Sequence, residues 1–161
     1  MDVCLTIDVE CYSGDYEREV FAGGKGLAFI LSECRARNIR ATFFVEALAA
    51  TLWGLEPLRR VCAMILDAGQ EIQLHLHPIV AMLPGISNSE DGMSLYSGAI
   101  QKELIVRGVE ALASCGVGKV SAFRAGDLAA NTDTLGAMED AGVFTGSNRD
   151  RDTKSSIHSR I

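Results

Sequence analysis

Apolar residues in this chain change their spacing again and again between two periods, and that alternation limits the folds open to it. Val3, Leu5, Ile7 and Val9 alternate with Cys4, Thr6, Asp8 and Glu10, the two-residue period of a strand with a polar end. Leu27, Ile30, Leu31 and Cys34 then recur at helical spacing, from about Gly26 to Arg37, with Asn38 as the stop. Ala41–Glu46 is rich in aromatic and branched residues and reads as a second strand. A helix opened by Pro57 carries the stripe Leu58, Val61, Cys62, Ile65 and Leu66 and ends at Gly69. Glu71–His77 is a third strand, stopped by Pro78. After a loop from Leu83 to Asp91 comes a helix from about Ser97 to Cys115, then a strand over Val120–Ala125. Asn131 or Thr132 caps a short helix running to about Ala141, and Val143–Thr145 begins a fifth strand. Strand and helix in strict alternation imply parallel strands with helices outside, as an α/β barrel or an open doubly wound sheet.

Length and charge narrow the role. A chain of 161 residues suits one domain, expected over residues 1–146, followed by a polar, irregular tail over 147–161. The net charge of −6 gives no electrostatic help on nucleic acid or an anionic membrane, so neither is expected as a partner. No apolar run approaches the ~18 residues of a membrane span. The five cysteines include no C-x-x-C pair, and Cys34, Cys62 and Cys115 fall in apolar helical stripes. With no basic leader after Met1, these features lead us to expect a reducing, cytoplasmic setting.

In parallel α/β folds, active sites collect where the strands end. Asp8 and Glu10 close the first strand, His75 and His77 the third, and Arg124 the fourth. Residues two apart on a strand share a face, so Asp8 pairs with Glu10 and His75 with His77. Two imidazoles and a carboxylate are three good ligands for Zn²⁺ or a similar divalent ion, and a second carboxylate could accept a proton from water. A lone D-x-E is ordinarily a solvated strand end, and a lone arginine ordinarily an ion-pair partner. The H-x-H is more specific, because the chain has only three histidines. Gly23-Gly24-Lys25-Gly26 lacks the spacing of a phosphate-binding loop and does not directly follow a strand; it reads as a flexible approach to a helix.

At these residues the sequence resembles the polysaccharide deacetylase family, also called NodB-homology or carbohydrate esterase family 4. Thr6-Ile-Asp-Val-Glu10, Arg40-Ala-Thr-Phe-Phe-Val45, Glu71-Ile-Gln-Leu-His-Leu-His-Pro78 and Phe123-Arg-Ala-Gly126 resemble its motifs in their order, nearest to a subgroup associated with lipopolysaccharide biosynthesis. The resemblance implies an α/β fold of the distorted (β/α) barrel kind with about seven strands. About five are accounted for, so the barrel is expected to be incomplete and prone to self-association through its open edge. It implies Asp8 as general base, Glu10, His75 and His77 as ligands of one divalent metal ion (Zn²⁺), and Arg124 as the residue that orients Asp8. The implied reaction is hydrolysis of an acetyl group on a sugar or polysaccharide, with the substrate-binding residues unidentified. Three features depart from the family. The histidines are spaced H-x-H instead of H-x-x-x-H, Glu10 stands where aspartate is usual, and the late L-x-H that supplies the acid has no clear match, His158 being the only histidine left. The alternatives are a non-catalytic carbohydrate-binding module on the same fold, or another hydrolase using H-x-H. The latter usually carries that motif on its first strand, not its third.

Overall fold

The fold was read from a computed structural model that describes residues 4–84, 86, 91–150 and 156–157. In chain order the elements are β1 (Leu5–Val9), α1 (Tyr16–Glu19), α2 (Leu27–Ala36), β2 (Ala41–Glu46), α3 (Ala50–Trp53), α4 (Leu55–Asp67) and β3 (Glu71–Leu76). There follow α5 (Gly98–Ser114), β4 (Ala122–Ala125), β5 (Ala129–Ala130), α6 (Thr132–Asp140), β6 (Thr145–Gly146), β7 (Asn148–Asp150) and β8 (Ser156–Ile157). No helix among the described residues is long and apolar enough to cross a membrane.

Five strands form one wholly parallel sheet in the order β1-β2-β3-β4-β6. Spatial order follows chain order, with a helix between each neighbouring pair. That is the winding of a (β/α) barrel; a doubly wound sheet would reverse its order partway. Among the described residues the sheet stays open, with β1 paired to β2 alone. The five-stranded incomplete barrel expected from the sequence is the architecture observed.

The two faces of the sheet differ sharply. Val9, Phe43, Val45, Ile72, Leu74, Leu76, Phe123 and Ala125 are buried beneath the helices. The helices answer with apolar stripes at helical spacing: Leu58, Val61, Cys62 and Ile65 on α4, and Leu104, Ile105, Gly108 and Leu112 on α5. The alternate residues, Thr6, Asp8, Thr42, Phe44, Glu46, Gln73, His75 and Arg124, occupy the other, mostly polar face. Local signals end the helices as read. Asn38 takes a left-handed conformation after α2, and Asn131 caps α6 through a reciprocal capping box with Thr134.

Several boundaries differ from the sequence reading. The helix expected from Pro57 begins at Leu55, which leaves the proline in the first turn, where its missing N–H costs nothing. β4 begins at Ala122, not Val120, because the N–H groups of Ser121 and Ala122 donate to the Gln73 side chain at 2.9 and 2.8 Å. The single-turn helices α1 and α3 are too short to leave a periodic pattern. The tail expected to be irregular carries β7 and β8. β7 pairs parallel with β5 and antiparallel with β8 in a small second sheet.

Two helical glycines test how tightly this frame is packed. A Cβ on Gly108 would stand 2.8 Å from Cδ atoms of both Leu74 and Leu76, which have no room to retreat, whereas a Cβ on Gly136 would meet nothing within 4 Å. Gly108→Ala is expected to lower stability by about 1–2 kcal/mol in urea titration, overpacking outweighing its better helix propensity. Gly136→Ala is expected to raise stability by about 0.5–1 kcal/mol.

Candidate metal centre

The ladder register brings the polar strand ends together. His75 stands level with Glu46 on β2 and with Arg124 on β4. Its Nδ1 lies 2.8 Å from the Arg124 carbonyl, which can only accept, so Nδ1 carries the proton. That leaves Nε2, 2.9 Å from Glu10 Oε1, as the atom facing a prospective ligand. His77 follows β3 by one residue. Its Nδ1 lies 2.5 Å from Asp91 Oδ2, and its Nε2 lies 3.5 Å from the same Glu10 oxygen. Asp91 is fixed in turn by the Ile79 N–H on its other oxygen. One donor atom each from Glu10, His75 and His77 lie within 4.8 Å of one another. Both imidazoles are thus oriented by a partner on the far nitrogen, the usual arrangement for histidines that hold a divalent cation. The three residues proposed from sequence as ligands are brought together.

The other two residues form a second cluster on the same face. An Arg124 Nη donates to Asp8, and the other donates to Thr6 Oγ1 and Ser147 Oγ at 3.0 and 3.1 Å. The guanidinium lies over the Phe44 ring, 4.1 Å from its centroid. Arg124 is mostly buried and Asp8 one-third exposed, so Asp8 is held in place while open to solvent. The glycine of Phe123-Arg-Ala-Gly126 has a steric reason. A Cβ there would stand 2.3 Å from His77 Nδ1.

Three site residues were missed in the sequence. Glu46 closes β2 on the inner face and is almost wholly buried. Its place in the alternation Thr42, Phe44, Glu46 was the available signal. Asp91 arrives from a loop 14 residues beyond His77, and nothing local marks it. The Tyr12 hydroxyl lies 2.8 Å from His77 Nε2, with the two rings edge to face. His158, the remaining histidine, lies outside the described residues.

Electrostatics follow from these contacts. Hydrogen bonds from His75 and His77 hold the Glu10 carboxyl far below the usual range. Burial favours neutral His77, but hydrogen bonds to Asp91 and Glu10 outweigh it and raise the imidazolium to about 10. Burial pushes the Glu46 carboxyl up to about 7.

No protein-family model matches the sequence, and no curated protein matches it. Solved structures do match its fold. A family 4 carbohydrate esterase from Streptomyces lividans, in complex with acetate, superposes with a TM-score of 0.62 at 20% identity over 92% of this chain and 62% of its own. A CE4-family pseudoenzyme from Bacillus anthracis gives 0.61 at 20% identity over 89% of this chain and 41% of its own. The chitin deacetylase of Colletotrichum lindemuthianum gives 0.55 at 17% identity over 89% and 53%. The chain therefore spans about 40 to 60% of the length of these structures and shares the fold of their family.

In the metal-free protein His77 is expected to stay protonated well past pH 8, as read by imidazole NMR shifts, and Asp91→Asn to bring its titration down. The raised value means that the stabilisation is fully present below about pH 6.5 and lost as pH rises through about 10. A thermal melting point unchanged between pH 7 and 10 would contradict that coupling.

Proposed function

We propose that the chain is a metal-dependent hydrolase that removes acetyl groups from N-acetylated sugars or polysaccharide. The observation that carries this reading is the convergence of Glu10, His75 and His77 donor atoms within 4.8 Å, on the same sheet face as the Arg124–Asp8 pair. Neutral imidazoles with a carboxylate suit Zn²⁺, and three protein ligands leave a coordination position open. A divalent ion bound there supplies Lewis acidity toward an acetyl carbonyl and makes a nearby water easier to deprotonate.

The chain's own residues do the rest. Asp8 accepts the proton of the attacking water, being held by Arg124 and reachable from solvent. Arg124 is a positioning residue. It donates to Asp8, Thr6 and Ser147, so the carboxylate is held in one orientation. Arg124 and Asp91 fix the two imidazoles from behind, through a main-chain carbonyl and a carboxylate. A role in lipopolysaccharide biosynthesis rests on the sequence resemblance. A reducing, cytoplasmic setting is supported by the five free cysteines, four of them buried. The open edge of β1 supports self-association, which light scattering would show as a mass above that of one chain.

A second reading, a non-catalytic carbohydrate-binding module, is supported by the CE4-family pseudoenzyme among the structures that share the fold. Acetate release separates the two.

The wild type is expected to retain near one zinc per chain after dialysis, with His75→Ala and Glu10→Ala losing it. Zinc uptake at pH 7 is expected to release about one proton from His77, seen by calorimetry in buffers of different ionisation enthalpy. Asp8→Asn is expected to keep the metal and lose roughly 10²- to 10⁴-fold in acetate release from an N-acetylglucosamine oligomer. A folded wild type without metal would remove the hydrolase reading. Metal without acetate release would favour the binding module.

A further inference from the structure

Glu46 is the one buried carboxylate of the site that is neither a prospective ligand nor in reach of solvent. It is 4% exposed. Its oxygens are taken up by three main-chain N–H groups. Oε1 accepts from Leu48 at 2.5 Å and Ala49 at 3.1 Å, and Oε2 accepts from His77 at 2.6 Å. No lysine or arginine among the described residues pairs with it. A carboxylate buried without a cation is costly, and N–H donors offset only part of that cost.

The donors come from two different loops. Leu48 and Ala49 belong to the turn between β2 and α3, and His77 to the turn after β3. The parallel ladder that fixes β3 pairs its last residue, Leu76, with Ala125, and the ladder to β2 ends at His75. His77 therefore lies one residue beyond the reach of the sheet. Its N–H goes to Glu46 instead of to a neighbouring strand. The Glu46 side chain is thus a clasp between the end of β2 and the backbone of a prospective metal ligand. Asp91 orients the His77 ring, from a residue outside the strands.

We infer that Glu46 is a positioning residue that fixes the His77 main chain and thereby sets the metal affinity of the site. The inference rests on the metal reading proposed above. Glu46→Gln keeps the size and removes one acceptor, so its amide NH₂ must face either the His77 N–H or the Leu48–Ala49 pair. The probes are Zn²⁺, in competition with a chromophoric chelator, and Co²⁺, through its visible spectrum. The expected result is a folded variant, by far-UV circular dichroism, that binds zinc roughly 10- to 100-fold more weakly than the wild type. Its Co²⁺ spectrum should also be altered. Zinc affinity equal to wild type would overturn the inference, even with a lower melting temperature, and would leave Glu46 a role in the fold alone. A wild type that binds no zinc would instead overturn the metal reading, and this inference with it. If the variant does not fold, hydrogen exchange in the zinc-loaded wild type decides. A His77 amide protected as strongly as those of β3 supports the clasp, and a freely exchanging one overturns it.

Discussion

In the ladder, His75 stands between Glu46 of β2 and Arg124 of β4, and this register organises the site around it. Because strand residues two apart share a face, fixing His75 toward the polar side also places Gln73 there and sends Leu74 and Leu76 into the core. A slip of one residue would bury the charged set under the helices and expose Leu74 and Leu76 in its place. The apolar core that resists the slip is the same packing that aims the histidines. Fold stability and site geometry are therefore one constraint.

Charge is the second organising fact. Glu10, Glu46 and Asp91 gather around His75 and His77, and among the described residues no lysine or arginine is paired with any of the three. Arg124 is committed to Asp8. The ligand cluster thus combines buried imidazoles with carboxylates that lack a fixed positive partner. In the metal-free protein His77 supplies part of the missing charge by holding a proton. A divalent ion would replace that proton and neutralise more of the surrounding carboxylate, so the anionic cluster favours cation binding before any ligand geometry is considered.

Much of this was legible in the sequence. The five parallel strands could be read because apolar period two and helical period alternate cleanly, and the convergence of Glu10, His75 and His77 because all three fall on the polar face at strand ends. What could not be read depends on contacts between distant segments. Asp91 reaches His77 across a loop, and Tyr12 lies over the same ring from beyond β1. β7 finds its partner in β5, twenty residues and a helix earlier, from Ala129↔Arg149 to Ala130↔Asp150, so a polar segment looked irregular. Glu46 is an intermediate case. Its face was predictable from the alternation, but its role depends on two turns meeting over it.

The central claim is that Glu10, His75 and His77 share one cation. Anomalous diffraction at the zinc edge, from crystals of the zinc-loaded protein, tests it most directly. The account predicts a single strong peak about 2.0–2.2 Å from a Glu10 oxygen and from Nε2 of both histidines. A peak elsewhere, or none at these three atoms in zinc-saturated crystals, would contradict it.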